Sequence, residues 1–180
     1  MQMALETVGE ERPGGARVET HQTLAYLMIA GAVMLFTTFT ASYLVRRESP
    51  DWGKVALPSL VWLNTAIVLA SSVTMELARL GRGRSRFWVR ATLALGLLFV
   101  AGQSVAWRQL AAQGVFMATS PHASFFYVLT AVHSVHLAAG IAVLLWALRR
   151  AGRAPLGLCA AWWHFVGAAW VWVALLLRFF

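Results

Sequence analysis

The chain has 180 residues, of which 59% are hydrophobic and only 12% are charged. Because a soluble domain averages about 45–50% apolar and about 25% charged residues, this composition excludes an ordinary soluble protein and indicates a membrane protein. The net charge of +8 would suggest a nucleic-acid partner in a soluble protein, but the basic residues here lie between apolar blocks, so we expect no such partner.

The first predicted element is a flexible tail over residues 1–21, whose acidic, Pro and Gly residues match neither the basic start nor the apolar core of a signal peptide. Five segments of about 20 predominantly apolar residues follow, which is the length that crosses a bilayer as a helix. They cover about residues 24–45, 58–78, 87–107, 124–148 and 156–177. The prediction is therefore an all-α, polytopic membrane domain over residues 22–180, with five transmembrane helices in an antiparallel bundle. Short loops predict that successive helices are neighbours.

The basic residues predict the orientation of the bundle. Ten Lys and Arg residues lie on the side of the N-terminus, and five lie on the other side. Because loops rich in Lys and Arg stay in the cytoplasm, we expect the N-terminus to be cytoplasmic and the C-terminus outside. The expected location is the plasma (inner) membrane of a bacterium.

Glu76 is the only acidic residue within a predicted span. Ionisable groups at membrane depth are functional candidates, but Glu76 lies near the inner end of its helix and Arg79 follows three positions later. Two interpretations stay open: an interfacial ion pair with Arg79, or a proton-linked or subunit-contact role.

Three histidines lie within spans: His133 and His136 on one face of the fourth, and His164 on the fifth. Imidazoles can bind a metal or haem, but His136 should lie about 18 Å from the inner end and His164 about 12 Å. Metal ligands must converge within about 2 Å of the metal, so we favour hydrogen bonds between helices or contacts with lipid or another subunit. His21 and His122 fall in the tail and in an outer loop, where no special role is expected.

Other polar and aromatic side chains predict contacts rather than chemistry. Asn64 and Gln103 lie in the outer halves of the second and third spans, where such groups usually bond across helices. Trp residues at span ends usually anchor a helix at the membrane interface. The last span has four, of which Trp170 and Trp172 lie well inside it and predict a surface that meets protein or acyl chains.

Four sequence strings together resemble subunit III of the haem-copper respiratory oxidases. In chain order they are WLNTA at 62–66, continuing as IVLASSVTMELAR, then GQSVAW at 102–107, SFFYVLTAVHSVHLAAG at 124–140 and AAWWHFVGAAWVWV at 160–173. The third is similar to the family's phenylalanine pair followed by two spaced histidines, and the fourth to its closing Trp-His-Phe-Val helix. The order of the strings makes the resemblance specific.

The resemblance implies a short, five-helix form of this family, in which a cleft between helix groups holds phospholipids. Such subunits contain no cofactor and pack against catalytic subunit I, which holds the haem and copper. The implied function is that of a non-catalytic accessory subunit of a proton-translocating terminal oxidase of the cytochrome c oxidase type. It would stabilise the catalytic subunit against turnover inactivation and support proton uptake, with cytochrome c reaching it only indirectly, through the complex.

Two positions depart from the family pattern, because Ser59 and Gly167 stand where relatives often have acidic residues. Glu76 is therefore the proton-linked candidate, and no catalytic, cofactor-binding or metal-binding residue is expected in this chain. The candidates for contact with lipid or another subunit are His133, His136, His164, Trp62, Asn64, Trp163 and Trp170.

Alternative functions come from three classes. The first class stays within the resembled family: subunit III of a quinol oxidase, or a relative associated with nitric oxide reductase. A second class is an independent membrane haem protein that uses His133, His136 or His164. A third is a small transporter, which would normally show an aligned polar path or broken helices at mid-membrane.

Overall fold

The structure, a computed structural model, describes residues 13–81, 84–150 and 155–180, and within these ranges it contains helices and no strand. The five helices are α1 (Pro13–Arg46), α2 (Leu60–Arg79), α3 (Ser85–Ala112), α4 (Pro121–Arg149) and α5 (Leu156–Phe179). Each is long and apolar enough to cross a membrane, α1 over Gln22–Arg46. The predicted all-α fold with five membrane helices is confirmed. We call the end of the bundle that holds residues 47–59 and 113–120 the outer end, after the predicted orientation, and the opposite end the inner end.

Helix α1 begins at Pro13, inside the segment predicted as a tail, while residues 1–12 of that segment lie outside the described residues. Helix α4 begins at Pro121, three residues before the predicted span. Its start is fixed by Ser120, whose side chain accepts a hydrogen bond from the Ala123 N–H at 3.2 Å. Proline is favoured at the first helical position because it has no N–H to leave unpaired, so local capping extends this helix beyond its apolar block.

Helix α3 also extends beyond its predicted end, and a glycine stops it. Gly114 has a φ of +76°, a conformation that costs glycine little. The chain then reverses, so that the Val115 N–H donates to the Leu110 carbonyl at 3.0 Å and the Gly114 N–H donates to the Ala111 carbonyl at 3.0 Å. These are the two bonds of a Schellman motif, which satisfies carbonyl groups at a helix end.

Helix α5 is the most buried helix and packs against α1, α2 and α4. Helix α2 packs along α3, and α3 also contacts α4. Helix α1 contacts only α4 and α5 among the described residues. The prediction that successive helices are neighbours is therefore wrong for α1 and α2.

The segment at 47–59 explains how α1 and α2 come to be separated. It crosses the outer end of the bundle instead of making a tight turn. Trp52, at its centre, is buried edge-on against Tyr43 of α1, with ring centroids 4.9 Å apart. The Gly53 carbonyl accepts a hydrogen bond from the Ser120 hydroxyl at 3.0 Å, which ties the segment to the start of α4.

Candidate functional site

Helix α2 is bonded to both of its neighbours through polar side chains along its length. Two indole groups of α5 donate to it: Trp170 to the Thr65 hydroxyl at 3.1 Å, and Trp163 to the Ser71 hydroxyl at 3.0 Å. Two further bonds join α2 to α3. They are Asn64 Nδ2 to Gln103 Oε1 at 3.4 Å, and Thr74 to Thr92 at 2.8 Å between hydroxyl oxygens.

These bonds satisfy groups that would be costly to leave unpaired in lipid. A buried indole N–H normally needs an acceptor, and transfer of an unpaired polar group into an apolar medium costs several kcal/mol. Each bond between membrane helices is worth about 0.6 kcal/mol on average, because the alternative arrangements also find partners. The predicted bonding of Asn64 and Gln103 across helices is confirmed.

Asn64 approaches α3 so closely that a side chain at position 102 would require the amide or the helices to move. A Cβ atom added to Gly102 would lie 2.1 Å from Asn64 Oδ1. Both amide side chains are buried, and Asn64 Oδ1 and Gln103 Nε2 have no hydrogen-bond partner within the part of the chain that the structure describes. The contact between α2 and α3 at this level therefore depends on the absence of a side chain at Gly102.

Glu76 lies in the last turn of α2, at the inner end, and binds two side chains. The Nε of Arg79 donates to both of its carboxylate oxygens, at 3.0 and 2.9 Å, and Nη2 of Arg79 bonds to Oε1 as well. The Nε2 of His164, from α5, lies 3.4 Å from Glu76 Oε2. The predicted ion pair with Arg79 is present, and His164 is a third member that the sequence did not predict.

The cluster of Glu76, Arg79 and His164 is partly open to its surroundings, because 37–47% of each side chain is exposed. It joins a carboxylate to an imidazole, the side chain that ordinarily exchanges protons in the physiological pH range. The cluster also links α2 to α5 at the inner end. Its chemistry is thus suited to hold charge at the membrane surface or to exchange a proton there.

The other two histidines of the spans have different surroundings. His133 is fully buried between Phe99 and Trp170, with ring centroids 5.6 and 5.1 Å away. Neither of its ring nitrogens has a hydrogen-bond partner among the described residues. The half-buried His136 has Nδ1 2.8 Å from the Val132 carbonyl oxygen, and its ring stacks on Trp162 with an interplanar angle of 23°.

These positions separate the three histidines that were considered as metal or haem ligands. His133 contacts aromatic rings, His136 bonds to its own helix, and His164 pairs with Glu76. Within residues 13–81, 84–150 and 155–180, no three His, Cys, Asp or Glu side chains lie together in a group that suits a metal ion.

His122 is a structural residue whose role the sequence does not predict. It was assigned to an outer loop without a role, but it lies in the first turn of α4 and is 1% exposed. Its Nδ1 accepts a hydrogen bond from the Val55 N–H at 3.2 Å, and its Nε2 lies 3.3 Å from the Leu177 carbonyl oxygen. His122 thus joins the 47–59 segment to the end of α5. The Ser-Pro pair before it was the available signal that a helix begins there.

The tryptophans of α5 pack mainly inside the bundle instead of anchoring it at the membrane interface. Trp162, Trp163 and Trp170 are 1–6% exposed. Glycines make room for the rings: a Cβ atom on Gly96 would lie 2.8 Å from the Trp163 ring, and one on Gly140 would lie 3.2 Å from Trp162 Nε1. The buried indoles therefore hold helices of this chain together.

Three tryptophans lie at the surface of the bundle among the described residues: Trp62, Trp146 and Trp172. Trp172 is half exposed and donates to the Thr40 hydroxyl of α1 at 2.9 Å. Trp62, on α2, is 43% exposed. Of the seven side chains predicted to contact lipid or another subunit, Trp62, His136 and His164 have substantial exposed surface, whereas the other four are buried within this chain.

Comparison with known proteins shows which sequences are similar to this chain. No protein-family model matches the chain. Curated relatives named cytochrome c oxidase subunit 3 do match. The one from Alkalihalophilus pseudofirmus is 30% identical, with 82% of this chain and 81% of the relative covered. One from Synechocystis is 29% identical over 80% of this chain and 68% of the relative. One from a Bacillus species is 26% identical, with 82% of this chain and 80% of the relative covered.

Proposed function

The chain belongs to the cytochrome c oxidase subunit 3 family, and from this premise we propose that it is a non-catalytic accessory subunit of a proton-translocating terminal oxidase. It is a multi-pass membrane protein that forms a complex with other oxidase subunits. The observation that carries the proposal is the match to curated subunit 3 proteins along about four-fifths of this chain. The proposed reaction of the complex is the reduction of oxygen to water.

In this proposal haem and copper are held by the catalytic subunit I, and electrons enter from cytochrome c through the complex. Two observations support it. The relatives carry the name of a cytochrome c oxidase, which favours this donor over a quinol. The polar side chains of α2 bond to α3 and α5 of this chain, so they serve the packing of helices.

The proposed location is the bacterial plasma membrane, with the N-terminus in the cytoplasm. The distribution of Lys and Arg residues supports this orientation. The inner end, where the Glu76 cluster lies, then faces the cytoplasm, the side from which such an oxidase takes up protons.

We assign two roles to the residues that were predicted to make contacts. Trp62, His136 and His164 have exposed surface at the side of the bundle and contact phospholipid or another subunit. The buried residues Asn64, His133, Trp163 and Trp170 hold the helices in the arrangement that presents this surface.

Glu76 is proposed to act with His164 as a proton-linked pair at the inner end. Replacement by Gln keeps the size of the side chain and removes its charge. We expect Glu76→Gln to slow proton uptake by the oxidase, whereas Glu48→Gln, a matched change in an exposed ion pair at the outer end, should not. Equal proton uptake in the two variants would leave Glu76 with a structural role only.

The accessory role is tested by removing this subunit from the purified complex. We expect the depleted oxidase to start at a normal rate and then to lose activity after fewer turnovers, because the catalytic subunit is no longer stabilised. Adding the purified chain back should restore the lifetime. An unchanged number of turnovers before inactivation would refute the role.

A further inference from the structure

A groove of about 1060 Å³ lies at the outer end, between the end of α1 and the start of α4. Its lining combines apolar residues of the two helices, Ala41, Val45 and Phe125, with hydroxyl and charged side chains of the helix ends and loops. The volume is at the upper limit of small-molecule sites. Because the groove begins within a membrane helix and ends in a loop, it lies where the headgroup of a lipid meets its acyl chains.

The hydroxyl groups of the lining already donate hydrogen bonds within this chain. All five donate to backbone carbonyl groups, so they offer only oxygen lone pairs to an occupant of the groove. The bonds are Ser42 to Thr38, Ser49 to Arg46, Thr119 to Gly114, Ser120 to Gly53 and Ser124 to Met117. A hydroxyl has one proton and two lone pairs. Three of them also accept one bond, and each keeps at least one lone pair free.

The two charged residues of the lining, Arg46 and Asp51, form an ion pair that leaves some N–H donors of Arg46 unused. Arg46 donates to both carboxylate oxygens of Asp51, at 2.8 and 2.7 Å, and also to Ser49. A guanidinium has five N–H donors, so two donors of Arg46 remain, while the Asp51 carboxylate also interacts with the Ser49 hydroxyl and with its own backbone N–H. The groove therefore offers an occupant several hydroxyl oxygens as hydrogen-bond acceptors, and the remaining N–H groups of Arg46 as charged donors.

We propose that this groove binds a phospholipid whose headgroup carries a primary ammonium group. The ammonium, with its N–H donors, lies among the free hydroxyl oxygens and Asp51, and the phosphate accepts from the remaining N–H groups of Arg46. The acyl chains follow the apolar side past Ala41 and Val45. The proposal gives a site and a headgroup class to the lipid contact in the proposed function, and it rests on that function only for the presence of lipid around the chain.

The groove predicts discrimination between headgroups. A choline headgroup has the same charge but no N–H donor, so it leaves the acceptors of the groove unpaired. A glycerol headgroup has no positive charge and leaves Asp51 without a counter-ion beyond Arg46. Because hydrogen bonds to charged groups are the stronger ones, we expect about a tenfold preference for phosphatidylethanolamine over phosphatidylcholine.

The test uses the complex purified through a tag on this chain. The complex is stripped of lipid in mild detergent and offered equal amounts of phosphatidylethanolamine, phosphatidylcholine and phosphatidylglycerol, and the bound lipids are counted by native mass spectrometry. Ala41→Trp fills the groove and should abolish the retained phosphatidylethanolamine. Ala30→Trp, an exposed change elsewhere on α1, should not.

A second pair of variants tests the chemistry of the headgroup. Asp51→Asn should reduce the preference for phosphatidylethanolamine, whereas Glu48→Gln, on the same segment but outside the lining, should leave it unchanged. Equal retention of the ethanolamine and choline lipids, preference for phosphatidylglycerol, or normal retention in Ala41→Trp would overturn the proposal. Absence of a haem-copper subunit from the preparation would instead contradict the proposed function. The two failures are distinguishable, because lipid bound to the tagged chain can be counted with or without that subunit.

Discussion

The close contact between Gly102 and Asn64 makes a sharp prediction for Gly102→Ala. The added Cβ atom would lie 2.1 Å from Asn64 Oδ1, so α2 and α3 must separate or the amide must move. Overpacking of this kind costs about 1–3 kcal/mol, and loss of the bond from Asn64 to Gln103 adds about 0.6 kcal/mol. The better helix propensity of Ala returns at most about 1 kcal/mol. We expect a net loss of about 0.6–3.6 kcal/mol in the free energy of unfolding.

The assay is thermal unfolding of the purified chain in mild detergent, followed by far-ultraviolet circular dichroism. A loss of 1 kcal/mol corresponds to a fall of about 2–4 °C for a chain of this length. Gly31→Ala is the matched control, because nothing lies within 4 Å of a Cβ atom at that position of α1, and it should not lower the transition. Adding Asn64→Ala to Gly102→Ala removes the clashing amide, so the double variant should be more stable than the sum of the single effects predicts. Equal transitions for Gly102→Ala and Gly31→Ala, or additive effects in the double variant, would refute this reasoning.

Three further predictions follow from the contacts. Trp170→Phe keeps most of the ring but loses the bond to Thr65, so thermal unfolding should report a loss of about 0.6–1.7 kcal/mol. His122→Phe removes the bond from the Val55 N–H and the contact with the Leu177 carbonyl, which together tie the 47–59 segment to the end of α5, so hydrogen exchange in that segment should become faster while exchange in α2 stays slow. The hydrogen bonds from Arg46 hold the pKa of Asp51 below its ordinary value. Their stabilising effect should therefore be complete above about pH 4, the usual Asp range, and disappear as the pH falls through the lowered pKa, so the thermal transitions of wild type and Asp51→Asn should differ at pH 6 and converge in strong acid.

The sequence predicts the helices well because lipid leaves the backbone little choice. An apolar block of about 20 residues must pair its own N–H and C=O groups, and a helix does so within one segment. The helix ends are different, since they depend on single residues such as Ser120 and Gly114. Hydropathy alone does not report these caps, which explains why α3 and α4 are longer than their apolar blocks.

The bonding partner of a side chain was predictable only where both residues lie in one turn of the same helix. Glu76 and Arg79 are three positions apart, so a helix brings them together whatever the rest of the chain does. His164 reaches Glu76 from 88 positions away, and Trp163 reaches Ser71 from 92 positions away. Both depend on which faces of α2 and α5 meet. The spacing of residues within each helix does not contain that information.

The position of α1 was mispredicted for a similar reason. A short loop favours neighbouring helices, but the segment at 47–59 contains Trp52, which is large and apolar and is buried against Tyr43 and His122. Burying this side chain draws the segment across the outer end and leaves α1 beside α4 and α5. The connection thus buries an aromatic cluster across the end of the bundle instead of joining two neighbouring helices.

The proposed accessory role requires that this chain is bound to a haem-copper subunit in its own membrane. The most direct measurement is to isolate the chain through a tag from native membranes in mild detergent, identify the proteins that accompany it, and record a reduced-minus-oxidised spectrum. We predict that a large haem-copper subunit co-purifies and that the preparation shows its haem spectrum. Isolation of the chain alone, without haem, would contradict the assignment to an oxidase complex.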